Sequence, residues 1–211
     1  MREKHTISFI PAVAPLREPV TKFGGQPIGL PAHLWPTSRS TKNPMRFICQ
    51  IALRDVGLSS VPLMAWLFIT DEDEFVDGTY EADGGENAVV IHAPEVDGVP
   101  ASPGPTMYEM VSQPGAQRLV AVPREFAVRL AKGVDPEQAF MKDEPEQLSE
   151  NKIGGTPAFL QGDDTPKGGY DLLLQLDSTS VPFYVNFGDA GVAYVFIARD
   201  RMSGKFLWQC G

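Results

Sequence analysis

Lys22-Phe23-Gly24-Gly25-Gln26-Pro27 and Lys152-Ile153-Gly154-Gly155-Thr156-Pro157 spell the same word twice: lysine, an apolar residue, two glycines, a polar residue, proline. The next segments of the chain recur as well. Phe47-Ile48-Cys49-Gln50-Ile51-Ala52-Leu53 is answered by Leu172-Leu173-Leu174-Gln175-Leu176-Asp177. Ala65-Trp66-Leu67-Phe68-Ile69 is answered by Ala193-Tyr194-Val195-Phe196-Ile197. An aspartate closes each series, Asp71 in the first and Asp200 in the second. Matching elements in the same order are the signature of an internal duplication.

The repeated runs are short, rich in aromatic and branched residues, and bounded by turn formers, so they read as strands. Residues 172–176 are almost continuously apolar, which suits a strand covered on both faces. Paired glycines fit a turn or bulge where a side chain has no room, and Pro27 and Pro157 hold the backbone after them. The plain reading of the word is therefore a turn at a strand, not a ligand loop.

Between the copies the character changes. Residues 71–117 carry no Lys or Arg but eleven Asp or Glu, along with Gly84-Gly85 and Pro94, Pro100, Pro103 and Pro105. Val89-Val90-Ile91 suggests a short strand, and 97–105 a loop. Pro123 to Lys132 reads as a helix with Phe126, Leu130 and Val134 on one face and Gly133 stopping it. Asp135 and Pro136 then suit the start of a second helix over 136–143. Strands over 182–187 and 192–198 would join around Gly188-Asp189-Ala190-Gly191, with residues 205–210 as an edge strand. The expected fold class is α+β: a duplicated strand-rich unit forming a mixed or antiparallel sheet with a few packing helices. The organisation expected is one domain over 1–211, with repeats at 20–71 and 150–200 and an acidic and helical insertion at 72–149.

With 211 residues, 43% of them hydrophobic and 21% charged, the chain can bury a substantial core. Its formal net charge of -9 disfavours nucleic acid and anionic lipid, and no basic patch offsets it. The longest apolar run, 61–69, is about half of what a membrane-spanning helix needs. The first residues lack the apolar core of a secretory signal, so a cytoplasmic location is the default. Cys49 and Cys210 sit in apolar, strand-like surroundings and read as buried free thiols.

The repeated segments, together with Asn151 and Phe187-Gly188-Asp189-Ala190-Gly191, resemble the YwqG-like family, a family of unknown function. The likeness runs from about residue 20 to the C-terminus and is strongest over 151–200. It implies a mixed α and β fold with internal duplication. It carries no catalytic residues, and it associates some members with immunity proteins that accompany bacterial toxins. After Gly155 this sequence departs from the fuller family pattern, keeping only Phe159 of an aromatic-rich segment.

Residue patterns for chemistry are sparse. His5, His33 and His92 have no second histidine or cysteine at ligand spacing. No serine nucleophile elbow, dinucleotide fingerprint or phosphate loop occurs. The carboxylates Asp71, Glu72, Asp73, Glu74, Asp77, Glu81, Asp83 and Glu86 are dense, but starting from Asp71 the calcium-loop pattern fails at Phe75 and Val76. No catalytic residue, metal or cofactor is expected. Those eight carboxylates are instead the expected surface for a basic protein partner, such as a toxin domain with nuclease activity. The alternatives are a hydrolase whose site is assembled from residues distant in sequence, or a housekeeping interaction domain with no toxin connection.

Overall fold

The computed structural model describes residues 1–70, 72, 76–95, 104–112, 119–137, 140–141 and 150–211. The repeated runs are strands, and almost everything else that is regular is strand too. Ten strands belong to one sheet. They are β1 Arg2–Pro11, β2 Lys22–Gly24, β3 Arg46–Ala52, β4 Met64–Ile69 and β5 Asn87–His92, then β8 Glu125–Asp135, β10 Lys152–Gly154, β12 Tyr170–Asp177, β13 Val192–Ala198 and β14 Gly204–Gln209. Their order across the sheet is β14-β13-β12-β10-β1-β8-β2-β3-β4-β5. Two small pairs lie outside it: β6 Tyr108–Ser112 with β7 Leu119–Pro123, and β9 Phe140–Met141 with β11 Ala158–Phe159.

This overturns the expected α+β class. The described residues contain no α-helix, only single 3-10 turns at Ala32–Leu34 and Ser178–Ser180. The helix expected from Pro123 to Lys132 is strand β8, which pairs with β1 along most of its length and with β2 near its start. The apolar residues Phe126, Val128 and Leu130 alternate at period two and all face the main core, while Arg129 and Ala131 are exposed. The helical spacing of Phe126, Leu130 and Val134 is a partial coincidence: Val134 is exposed, and Val128 completes the strand pattern. Of the expected helix over 136–143, residues 138–139 and 142–143 lie outside the described set, and Phe140–Met141 is strand. Residues 182–187 are not a strand. They form a loop that sends Phe183, Val185 and Phe187 into the core.

The central pair β1 and β8 joins two halves with the same register. In the first, Lys22 pairs with Gln50 and Gln50 with Trp66. In the second, Lys152 pairs with Gln175 and Gln175 with Tyr194. A bulge falls at the same place in both, between Phe47 and Cys49 and between Leu172 and Leu174. Bulges bend and twist a strand, and these two help the sheet curl. Its end strands β5 and β14 come together without pairing: a Cβ at Gly204 would lie 2.5 Å from a Val89 methyl, and the Trp208 amide donates to the Tyr80 carbonyl at 3.4 Å.

The curled sheet encloses one apolar cluster with residues from all ten strands, including Ile7, Phe23, Leu67, Phe126, Ile153, Val195 and Trp208. The outer face of each half is covered as well. Leu30, Leu34 and Trp35 pack on Trp66 and Phe68, and Phe159 and Leu160 pack on Tyr194 and Phe196. Burial on both faces explains why β3, β4 and β13 are apolar runs rather than alternating ones. Each large side chain so buried contributes about 1.5–3 kcal/mol. Cys49 is buried, Cys210 is partly buried, and both are free thiols. No helix among the described residues is long and apolar enough to cross a membrane.

Candidate functional site

The twin words place a lysine inside the sheet in each half. Strands β2 and β10 are only three residues long because each ends in two left-handed glycines: Gly24 and Gly25 have φ of 65° and 63°, Gly154 and Gly155 of 74° and 79°. The turned chain brings a carbonyl back over the lysine. Lys22 Nζ donates to the Gln26 carbonyl and Lys152 Nζ to the Thr156 carbonyl, each at 2.7 Å. The glutamines Gln50 and Gln175 fix the same turns from the next strand, accepting from the amides of Ile28 and Ala158 at 2.8 Å each. Even the residues before the lysines match. Thr21 Oγ1 accepts from the Ala52 amide at 3.0 Å, and Asn151 Oδ1 from the Asp177 amide at 2.8 Å.

A buried ammonium needs a carboxylate. Lys22 finds Glu125 Oε1 at 2.5 Å, and Lys152 finds Asp135 Oδ2 at 2.6 Å. Each carboxylate lies against the second glycine of its turn, so a Cβ at Gly25 or Gly155 would fall within 2.6 Å of a carboxylate atom. Burial pushes both lysines below their ordinary pKa, opposed by the carboxylate beside each. Burial also acts to raise Asp135, but hydrogen bonds from Lys152, Lys4 and the Thr156 amide outweigh it and hold the acid below its usual value.

The two pairs differ in their surroundings. The Asp135–Lys152 pair is closed, its side chains 1% and 0% exposed. Lys4 places its ammonium 2.8 Å from Asp135 Oδ1 and also contacts Glu150. The Lys22–Glu125 pair opens onto a cavity of about 390 Å³, walled by Pro15, Leu16, Ile28 and Pro123 and bordered by Arg17 and Glu95. Glu125 also lines a second, shallower hollow of about 960 Å³ beyond the segment 11–15, with Met110, Phe183 and Tyr184. A largely apolar cavity of a few hundred Å³ with charged groups at one wall is the usual form of a ligand site.

The acidic residues expected to meet a partner are divided. Asp71, Asp73 and Glu74 lie outside the described residues. Glu72, Asp77, Glu81 and Asp83 lie on the surface. Asp83 pairs with Lys205 of β14 across the gap between the end strands. Glu86 is not on the surface. It is 3% exposed and accepts hydrogen bonds from Ser38 Oγ and Thr70 Oγ1 at 2.6 Å and from the Ser40 amide at 2.7 Å. Burial acts to raise its pKa, but these bonds hold it below the ordinary value. Tyr80, which the sequence does not single out, stands 42% exposed in this loop, in T-shaped contact with Trp208 with ring centroids 6.0 Å apart. The charges of Glu81 and Asp77 raise its phenol pKa.

The histidines stand apart. His33 and His92 are exposed, whereas His5 is buried on β1, 3.7 Å from Glu3 Oε1, with its pKa lowered mainly by burial. Among the described residues, no three of His, Cys, Asp or Glu gather as metal ligands do. Glu125 and Asp135 carry no mark in the sequence as partners of Lys22 and Lys152. The available signal is the lysine itself, repeated inside two strand contexts, since a lysine in a sheet core demands an acid.

No curated protein matches the chain. A family model described as a domain of unknown function, DUF1963, matches residues 21–206, which spans both repeats and the insertion between them. The chain belongs to the DUF1963 family.

Proposed function

We propose that this protein is a protein-binding protein that captures a basic partner, in the manner of an immunity protein that neutralises a toxin inside the cytoplasm. The observation that carries the reading is the loop 76–83, where Tyr80 stands exposed between the exposed carboxylates of Asp77 and Glu81. Interfaces draw affinity from a few aromatic or basic anchors, and charge supplies encounter rate and partner choice. A tyrosine flanked by two carboxylates on a protein of net charge -9 offers both to a basic surface, such as the substrate groove of a nuclease. The resemblance to the YwqG-like family supports the partner class. A hydrolase is the alternative, and no particular arrangement of side chains among the described residues favours it.

The test is to purify the protein with the product of its neighbouring gene and measure binding by calorimetry at two salt concentrations. A complex at micromolar concentration that weakens with salt is expected. No complex at that concentration overturns the partner. Undiminished binding by Tyr80→Ala combined with Asp77→Asn and Glu81→Gln overturns the surface.

A further inference from the structure

The two halves hold the same buried lysine against a carboxylate, but only one carboxylate has an ammonium against each of its oxygens. In the second half, Asp135 Oδ2 meets Lys152 at 2.6 Å and Oδ1 lies 2.8 Å from a second ammonium, that of Lys4. In the first half, Glu125 Oε1 takes both bonds, from Lys22 at 2.5 Å and from the Leu16 amide at 3.3 Å. Among the described residues, Oε2 accepts none. The register explains the difference. Gly24 pairs with Glu125 on β8, and Gly154 pairs with Lys4 on β1. Where the second half carries Lys4 beside the turn, the first carries the acid itself, whose stem lies against Gly25 as that of Lys4 lies against Gly155, and no second lysine among the described residues reaches that carboxylate. The 390 Å³ cavity lies there, with apolar walls from Pro15, Leu16, Ile28 and Pro123.

We propose that this cavity binds a primary alkylammonium, whose charged end meets Glu125 Oε2 and whose carbon chain lies against Leu16 and Ile28, reproducing from outside what Lys4 supplies within the second half. The second half holds two ammoniums on Asp135 with Glu150 as a second carboxylate, and in the first half Glu95 at the border of the cavity offers that second negative charge. A charged donor suits an unshared carboxylate oxygen better than a neutral one. The ligand chemistry is common to a small free amine and to a lysine side chain presented by another protein. The site is separate from the loop 76–83 and does not depend on it.

Amide chemical shifts of the full chain are followed while n-hexylamine, n-hexanol or Nα-acetyl-lysine N-methylamide is added to millimolar concentration. Saturable shifts at Leu16, Gly25, Thr106 and Glu125 with n-hexylamine are expected, with those of Gly155 and Thr156 unmoved. Glu125→Gln is expected to weaken binding at least about tenfold, the loss that comes with removing a charge-assisted bond. Leu16→Trp, which fills the cavity and leaves the ion pair in place, abolishes binding and serves if the glutamine variant does not fold. Binding by the lysine derivative as well as the alkylamine supports a lysine side chain as the natural occupant, and binding by the alkylamine alone supports a small amine. Equal binding of n-hexanol, undiminished binding by Leu16→Trp, or no saturable shift with either amine overturns the proposal.

Discussion

The first half and the second half of the sheet share register, bulge, turn and buried lysine, yet they neutralise that lysine differently. The second half uses a network of Lys4, Asp135, Glu150 and Lys152 around a fully buried Asp135–Lys152 pair. The first uses a single acid, 13% exposed, at the wall of a cavity. The repeated word therefore dictates a backbone and a buried charge, but not the environment of that charge. The surroundings of a repeated position can differ without disturbing the fold, because the carboxylate arrives from a strand outside the word.

The largest effect should come from breaking the network of the second half. Asp135→Ala strands the Lys152 ammonium in the interior, while Lys4 keeps Glu150, and is expected to cost about 3–5 kcal/mol, read from urea unfolding. Glu125→Gln should cost less, about 1–3 kcal/mol, because the amide oxygen can still accept from Lys22 and the Gln26 carbonyl remains as its second acceptor. Equal losses in the two halves would remove the distinction between them.

The pH dependence separates the same groups. Asp135 has a depressed pKa, so its contribution is fully present above the ordinary carboxylate value of 3.8 and is lost as pH falls through the depressed one. Glu86 acts in the same direction from its ordinary value of 4.5. On the alkaline side, Lys22 and Lys152 lose their protons more readily folded than unfolded, so each adds stability as pH rises towards 10.5. Lys4 is raised: burial acts to lower it, but bonds to Asp135 and Glu150 prevail, and its contribution is lost only as pH climbs past 10.5. Urea midpoints measured across pH should fall in acid, with a shallower acid limb in Asp135→Asn.

A subtler test makes one half imitate the other. Lys4→Ala leaves Asp135 Oδ1 without its second ammonium and opens space along the turn. Melting temperature should drop, and n-propylamine at millimolar concentration should restore part of the loss in this variant more than in the parent. Equal shifts in both proteins would show that Lys4 is not the counterpart of a bound amine. The smallest effect belongs to the exposed carboxylates. Asp77→Asn with Glu81→Gln should leave the melting temperature unchanged while slowing association with a basic partner, as stopped-flow mixing at low salt would show.

The strands of the repeats could be read from apolar runs because both of their faces are covered, and such runs need no knowledge of partners. Strand β8 could not be read in this way. Its residues Phe126, Leu130 and Val134 fit a helix locally, and only pairing with β1 and β2 makes Val128 and Leu130 alternate against a core. Glu86 groups with its acidic neighbours because sequence shows charge but not depth. The Ser38–Ser40 segment that buries it lies far away along the chain. Tyr80 gives no signal at all, since exposure of an aromatic is a property of the folded surface.

The sequence alone determined the duplication, the glycine turns and the apolar strands, because each depends on local sterics and on the chain's own periodicity. Only the tertiary structure decided that the sheet curls shut, that no helix packs on it among the described residues, and which acid faces each lysine. Those outcomes depend on strands that meet across long separations, where pairing and burial outweigh local preference.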